Sequence, residues 1–288
     1  MSNLIDYYIY IPSGNDTAIV EGVDFSDEEK KIINDKIMQK HKNIEQVGFV
    51  NSNIKKSTDL NLGKQKEYVL KMAGGEFCAN ATRCASYYYL NGETGAINIE
   101  VSGLDYKIES GINDETLIFN KKNVWCKMKA ENIFVDKLDE YVYLVKMNGI
   151  THIVVEAELT KKILESDDVI KTVAMDFIKK YEIDDDDAIG VMFLEEETKE
   201  KLEDNIKMKP VVWVKKIDTL FYETACASGT MSVGIVKSFQ KNESVDLSII
   251  QPSKKVLKVS TTFEDNNLKE VMIIGEVLTD GIKRHIEI

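Results

Sequence analysis

The stretch EFCANAT at residues 76–82 returns in altered form as ETACASGT at residues 223–230. Each copy places a glutamate just before a cysteine, Cys78 or Cys226, and small residues and a threonine after it. The two cysteines lie about half the chain apart, whereas solenoid repeats have periods of roughly 20–50 residues. The repeated segment therefore indicates that the chain consists of two duplicated halves. We expect two similar α+β domains, each with one cysteine at the start of a helix.

A cysteine at a helix start has a specific chemistry. The helix N-terminus exposes unsatisfied N–H groups and carries about half a positive charge. We therefore expect the pKa of Cys78 and Cys226 to fall below the ordinary value of about 8.5. The same N–H groups can hold a carboxylate. Two such helices facing each other would let one thiolate remove the α-proton of an amino acid and the opposite thiol return one, with no pyridoxal group or metal.

Composition sets the broad class of protein. The chain has 288 residues, of which 43% are hydrophobic and 30% charged, as in an ordinary globular protein. Its net charge of −12 disfavours nucleic acid and anionic membranes as partners. The first residues lack the basic and apolar regions of a signal peptide. We expect a cytoplasmic protein whose partner is a small molecule, with neither nucleic acid nor membrane bound.

The remaining cysteines and the histidines carry no metal signature. Cys84 and Cys126 have no repeated context and are expected to be free thiols in the core. No CxxC pair exists, and the three histidines are scattered. The sequence therefore predicts no metal site. It also lacks G-x-G-x-x-G, the P-loop and H-E-x-x-H, so dinucleotide binding, P-loop chemistry and zinc proteolysis have no local signal.

Periodicity and residue type predict several helices and strands. The helical patterns cover residues 27–42, 78–90, 168–181 and 226–241. The β-rich runs cover residues 7–11, 96–101, 141–147, 152–155, 211–214, 256–261 and 271–277.

Four segments together resemble one known family. SGND at residues 13–16 is similar to its N-terminal Gly-Asn-Asp turn, and CANATRC at 78–84 to its Cys-Gly-Asn-Gly-x-Arg-Cys segment. ACASG at 225–229 resembles its Ala-Cys-Gly-Thr-Gly segment, and the residues at 149–152 its Gly-Asn-Pro-His segment. The order and spacing agree along nearly the whole chain. The sequence thus resembles the diaminopimelate epimerase-like superfamily of cofactor-independent racemases and epimerases.

The resemblance implies a fold and a domain division. Each of two pseudo-symmetric domains would be a mixed β-sheet or barrel wrapped around a central helix. The N-terminal domain would comprise residues 1–135 and 278–288 and carry Cys78. The C-terminal domain would comprise residues 136–277 and carry Cys226, with the active site in the cleft between the two. Members of the family are often dimers, which leaves a homodimer open.

The resemblance also implies roles around the first cysteine. Cys78 and Cys226 match the two catalytic bases. Asn80 matches a residue that binds the α-carboxylate or amino group of the substrate. Asn15 matches the substrate-contacting asparagine of the N-terminal turn. Ala79 stands where the family has glycine, beside the first catalytic cysteine.

The roles implied around the second cysteine are similar. Ser228 and Gly229 match a second anion-binding helix start, and Ala227 replaces a glycine of the family. His152 matches a histidine near the catalytic centre, although a lone histidine on a strand is often structural. Glu223 would either bind the α-ammonium group or cap the helix start.

Departures from the family pattern bear on the substrate. Diaminopimelate epimerase binds a second amino-carboxylate with an arginine and several asparagines. In this sequence the position of the arginine falls on Thr219 or Asp218, and Ile150 replaces one of the asparagines. Losing those polar partners argues against diaminopimelate. The compact Glu-Phe-Cys form resembles the histidine racemase branch, which implies interconversion of L- and D-histidine. Diaminopimelate epimerase with rearranged distal contacts, and a racemase for another amino acid, remain the alternatives. A binding protein on this fold is disfavoured because both cysteines are present.

Overall fold

The computed structural model describes residues 4–51, 67–113, 121–196 and 206–288. The chain divides into two compact units. Unit 1 comprises Met1–Cys126 and Glu276–Ile288, and unit 2 comprises Lys127–Gly275. Unit 2 is thus a continuous segment, whereas unit 1 is assembled from both ends of the chain.

The described residues of unit 1 form strands and two α-helices. In chain order they are β1 Leu4–Ile11, β2 Asp16–Glu21, α1 Asp27–Lys40, β3 Ile44–Val50, β4 Tyr68–Met72, α2 Ala79–Leu90, β5 Gly95–Val101, β6 Lys107–Asn113 and, after unit 2, β17 Arg284–Glu287. Strand β7, Lys121–Lys129, and strand β16, Asn267–Thr279, run through the boundaries of the units.

The strands of unit 1 pair in the order β17, β1, β2, β3, β4, β5 and β6. The pairs β2–β3 and β4–β5 are parallel and the others antiparallel. Parallel neighbours need a crossover connection, and α1 and α2 supply the two crossovers. Helix α2 packs against strands β2 to β6, and its residues 79–88 are all buried. The sheet of unit 1 therefore curves around α2.

The described residues of unit 2 form three α-helices and the remaining strands. They are β8 Phe134–Asp139, β9 Val142–Met147, β10 Ile150–Val155, α3 Ala157–Ile163, α4 Ile170–Lys180, β11 Ala188–Glu196, β12 Ile206–Val214, β13 Thr219–Tyr222, α5 Ala227–Lys241, β14 Asp246–Ile250 and β15 Val256–Glu264.

The strands of unit 2 pair in the order β8, β9, β10, β11, β12, β14, β15 and β16. Here β10–β11 and β12–β14 are the parallel pairs, while β13 pairs antiparallel with β12. Helix α5 packs against β9, β10, β11, β14 and β15 and is buried along residues 227–236. The α+β class expected from the sequence is confirmed: each unit combines a mixed sheet with helices.

The two buried helices owe their ends to local chemistry. Each begins at a cysteine and ends at an asparagine in the left-handed conformation, Asn91 for α2 and Asn242 for α5. Asparagine tolerates that conformation better than most residues. Over the part of the chain that the structure describes, none of the helices has the length and apolarity needed to span a membrane.

Candidate active site

Cys78 and Cys226 occupy the N-cap positions of α2 and α5 with the same backbone geometry. Their φ and ψ angles are −128° and 109° for Cys78, and −129° and 109° for Cys226. Sγ of Cys78 accepts a hydrogen bond from the N–H of Ala81 at 3.3 Å, and Sγ of Cys226 accepts one from Gly229 at 3.4 Å. The predicted position of both cysteines at helix starts is confirmed.

The partly exposed thiol of Cys78 lies at the end of a hydrogen-bond chain. Its S–H donates to Oε1 of Gln46 at 2.7 Å. Nε2 of Gln46 donates to Oγ1 of Thr17 at 2.8 Å, and the hydroxyl of Thr17 donates to the backbone carbonyl of Asn15 at 3.0 Å. The sequence analysis missed Gln46, because a glutamine within strand β3 belongs to no motif.

Asn15 lies in a tight turn between β1 and β2. Ser13, Gly14 and Asn15 all have positive φ angles, 64°, 110° and 54°. Three successive left-handed residues reverse the chain sharply, and glycine and asparagine are the residues that adopt this conformation most readily. Asn15 is buried, and its carbonyl joins it through Thr17 and Gln46 to the chain that ends at Cys78.

Arg83 fixes the orientation of Asn80. Its Nη2 donates to Oδ1 of Asn80 at 2.7 Å and to the carbonyl of Pro12 at 3.3 Å. A guanidinium group only donates, so Asn80 must turn its oxygen to Arg83 and keep its NH₂ group for other acceptors. Arg83 is fully buried, which lowers its pKa, and Ala79 beside it is buried as well. No carboxylate among the described residues forms an ion pair with Arg83.

The thiol of Cys226 is almost completely buried. Its backbone N–H donates to Oε1 of Gln251 at 3.0 Å, and its Sγ lies 3.6 Å from Oγ of Ser228. Burial raises the pKa of Cys226 well above its ordinary value, and the negative charge of Glu223 raises it further. The N–H of Gly229 and the hydroxyl of Ser228 lower it by less. The expected fall in the pKa of Cys226 was therefore wrong, because burial outweighs the helix N-terminus.

His152 contacts Ser228 inside unit 2. It is fully buried on β10, and its Nε2 lies 3.1 Å from Oγ of Ser228. Burial lowers the pKa of His152 to about 3, although a hydrogen bond to the backbone of Gly190 acts in the opposite direction. The imidazole is therefore neutral at physiological pH. A Cβ atom at Gly190 would lie 2.3 Å from its Nδ1, so the glycine leaves the ring its space.

Glu223, Ala227 and Gly229 complete the surroundings of Cys226. Glu223 is a buried carboxylate whose backbone N–H donates to the carbonyl of Pro210 at 2.9 Å. Ala227 is the buried first residue of α5. A Cβ atom at Gly229 would lie 2.1 Å from Sδ of Met192, so a side chain there would displace its neighbours.

The other two cysteines are core residues, as expected. Cys84 and Cys126 are fully buried, and burial raises the pKa of each to about 12. Within the described ranges, no three His, Cys, Asp or Glu residues cluster as they would around a metal ion.

The predicted site residues fall into two groups, one in each unit. Unit 1 holds Asn15, Cys78, Ala79 and Asn80. Unit 2 holds His152, Glu223, Cys226, Ala227, Ser228 and Gly229. Their catalytic and binding roles stay predictions.

Sequence similarity to known proteins shows which family this chain belongs to. The family described as histidine racemase CntK N-terminal domain matches residues 4–281. The chain belongs to this histidine racemase family. A histidine racemase from Fusobacterium nucleatum is 30% identical over 252 residues, which cover 83% of each chain. A histidine racemase from Staphylococcus aureus is 26% identical over 280 residues, which cover 89% of each chain.

Solved structures share the fold of this histidine racemase family member. A hydroxyproline epimerase from Agrobacterium vitis superposes with a TM-score of 0.62 at 9% identity, covering 99% of this chain and 93% of its own. A probable proline racemase from Agrobacterium radiobacter has a TM-score of 0.59 at 10% identity, covering 98% and 92%. At these identities the likeness concerns the fold. The family match and the sequence relatives identify the protein as an isomerase of the amino-acid racemase class.

Proposed function

We propose that this protein interconverts L- and D-histidine with Cys78 and Cys226 as its two acid–base groups. The proposal is carried by one observation: the two cysteines N-cap buried helices with the same backbone angles and the same sulfur-to-N–H contact. The relatives named histidine racemases support the choice of histidine.

The proposed reaction moves one proton off the α-carbon and another onto it. One cysteine, as thiolate, takes the α-proton and becomes a thiol. The other cysteine, as thiol, donates its proton to the opposite face of the α-carbon and becomes a thiolate. Atoms and charge balance without pyridoxal or metal chemistry, and the reverse direction exchanges the two roles.

The order of strand pairing supports equivalent positions for the two cysteines in the two units. In each unit an antiparallel pair, a helical crossover, a second antiparallel pair and a buried helix follow one another before a last antiparallel pair. We infer that the units are pseudo-symmetric repeats, each contributing one cysteine. Helix N-termini bind anions, so the starts of α2 and α5 are suited to the α-carboxylate, helped by the amide of Asn80 and the hydroxyl of Ser228.

Glu223 links substrate binding to the protonation of Cys226. In the protein without substrate, burial and the charge of Glu223 hold Cys226 as a thiol. A substrate α-ammonium group beside Glu223 would neutralise that charge and so weaken the effect of Glu223 on the pKa of Cys226. The thiolate would then form mainly when an amino acid is bound. Because free catalytic thiols persist in reducing compartments, the scheme fits a cytoplasmic enzyme.

The test is proton NMR of the purified enzyme in deuterium oxide with reductant. L-histidine, D-histidine and LL-diaminopimelate are supplied separately, and Cys78→Ala protein serves as the control. Loss of the histidine α-proton signal together with formation of both enantiomers on chiral chromatography supports the proposal. Exchange with LL-diaminopimelate alone identifies an epimerase instead. An enzyme inert on both histidine enantiomers refutes the choice of histidine.

A further inference from the structure

We propose that Gln46 is a positioning residue that holds Cys78 in its thiol form, ready to deliver a proton; the catalytic meaning of this role rests on the proposed function. The geometry behind it is the 2.7 Å hydrogen bond from the Cys78 S–H to Oε1 of Gln46. Gln46 is buried on strand β3, outside the four segments quoted for the family resemblance.

The direction of this hydrogen bond follows from the protons available. The hydroxyl of Thr17 has one proton, which it donates to the carbonyl of Asn15 at 3.0 Å. Toward Gln46 the hydroxyl oxygen can therefore only accept. Gln46 must place its NH₂ group, 2.8 Å away, against Thr17 and its carbonyl oxygen against Cys78. Turning the amide over would set Oε1 against an oxygen with no proton to offer.

An oxygen acceptor facing the sulfur has a defined effect. It binds the thiol through the S–H proton and repels the thiolate, which has no proton to share. Two other groups favour the thiolate: the N–H of Ala81 and the positive charge of Arg83. Gln46 is a neutral group that opposes both of them. It favours the thiol form of Cys78, which can donate a proton.

Cys226 has a different polar neighbour. Its sulfur lies beside the hydroxyl of Ser228, in a contact where either atom can be the donor, and it also forms a hydrogen bond with the side chain of Glu223. A hydroxyl can rotate to accept from a thiol or to donate to a thiolate, so it follows the protonation of the sulfur. An amide held by Thr17 cannot follow in this way. In the free protein both sulfurs favour the thiol form, Cys78 through the neutral amide of Gln46 and Cys226 through burial and the charge of Glu223.

The test measures the thiolate directly, through alkylation of Cys78 by iodoacetamide at pH 8, because only the thiolate reacts. Peptide mass spectrometry follows Cys78 and Cys126 separately. The variant Gln46→Met keeps the length of the side chain and removes its acceptor. Cys78 should react about fivefold faster in this variant, since a neutral hydrogen bond contributes about 1 kcal/mol. Cys126, which is fully buried, should stay unlabelled and so report an intact fold.

A pair of substitutions at Thr17 tests the direction of the chain. Thr17→Val removes the acceptor for the NH₂ group of Gln46 and frees the amide to turn, so Cys78 should again react faster. Thr17→Ser keeps the hydroxyl and should react like the parent protein. An unchanged or slower rate in Gln46→Met, with Cys126 protected, overturns the proposal. If Gln46→Met exposes Cys126 to the reagent, the two Thr17 variants are used instead. Equal alkylation rates of Cys78 in Thr17→Val and Thr17→Ser then overturn the proposal. The alkylation assay uses no substrate. It therefore tests the role of Gln46 even if the protein does not racemise histidine.

Discussion

Nε2 of His152 lies 3.1 Å from Oγ of Ser228, and the same hydroxyl lies 3.6 Å from Sγ of Cys226. Because His152 is neutral, its Nε2 can accept or donate according to the tautomer. Ser228 can therefore turn its proton toward the ring when Cys226 is a thiol, and toward the sulfur when it is a thiolate. The pair supplies a neutral adjustable partner for a buried sulfur.

Removing the hydroxyl of Ser228 should slow turnover. We expect Ser228→Ala to lower kcat about tenfold, because one hydrogen bond to a charged sulfur is worth about 1.5 kcal/mol or more. The matched control is Ser232→Ala on the same helix, whose buried hydroxyl only donates to the backbone carbonyl of Ser228, at 3.1 Å. Steady-state kinetics and thermal melting compare the two variants. Equal losses of kcat in both would assign Ser228 a structural role.

Acid should destabilise the protein through His152. Its folded pKa, about 3, lies below the ordinary value of 6.5, so between these pH values the unfolded chain binds a proton that the folded chain does not. Stability from this residue is complete above pH 6.5 and falls by about 1.4 kcal/mol per pH unit as pH decreases toward 3. Urea unfolding at pH 7.5 and 5.0 should show a smaller loss in His152→Asn than in the parent. His41, whose pKa is also lowered by burial, is present in both proteins and cancels. Identical losses would contradict the assignment.

Neutralising Glu223 should separate binding from thiol activation. In Glu223→Gln we expect the pKa of Cys226 to fall, because a negative charge that raises it is gone. Loss of the S–H vibration of this buried thiol with rising pH, followed by infrared difference spectroscopy against Cys226→Ala, should shift to lower pH. KM for histidine should rise about tenfold or more, since a charged partner of the α-ammonium is lost. Glu156→Gln, which breaks the ion pair with Lys237 at 2.7 Å in the same unit, is the control and should leave both quantities unchanged. A thiol that titrates as before would argue against the influence of Glu223.

Removing either N-cap cysteine should abolish racemisation in both directions. We expect Cys78→Ala and Cys226→Ala to be inactive, because each direction of the proposed reaction uses both sulfurs. Each single variant can still exchange the α-proton of one enantiomer with deuterium oxide. Cys84→Ala and Cys126→Ala remove buried thiols whose pKa lies near 12 and should keep their activity once folded. Full racemisation by either of the first two variants would refute the two-base scheme.

Asn80→Asp should make the protein more stable and a poorer binder. A carboxylate at this position would face the unpaired charge of buried Arg83, and it would also lie in the first turn of α2, where negative charge is favourable. A gain of about 1 kcal/mol corresponds to a rise in Tm of roughly 2–4 °C. KM should rise, since an acceptor replaces the amide NH₂ that we assign to the substrate carboxylate. In the Arg83→Gln background most of the gain in Tm should vanish. A lower Tm in Asn80→Asp alone would count against an unpaired Arg83.

Local sequence was sufficient for the elements that carry the cysteines. The helices predicted at 78–90 and 226–241 appear as Ala79–Leu90 and Ala227–Lys241, and the predicted strand at 152–155 lies within Ile150–Val155. The capping of each helix depends on residues three apart in the chain, so a short motif contains it. The same local rule failed for the pKa of Cys226, because burial is created by residues distant in the sequence.

The partners of the cysteines could not be read from the motifs for the same reason. Gln46 reaches Cys78 across 32 positions, and His152 reaches Ser228 across 76. Such contacts depend on strand register, which a single sequence does not specify. Arg83 is an intermediate case: it lies within the recognised CANATRC segment, yet its contact with Pro12 spans 71 positions.

Strand β1 pairs antiparallel with β17, so that Leu4 lies opposite Glu287. The ribosome therefore makes β1 before the whole of unit 2 and its neighbour β17 after it. Synthesis proceeds at about 5–20 residues per second, and contiguous domains can fold as they emerge. Unit 2 can thus acquire its structure during synthesis, while the sheet of unit 1 stays incomplete until β17 has been made. During that interval the edge of β1 that later pairs with β17 has no partner strand, and an unpaired strand edge can recruit other chains into aggregates.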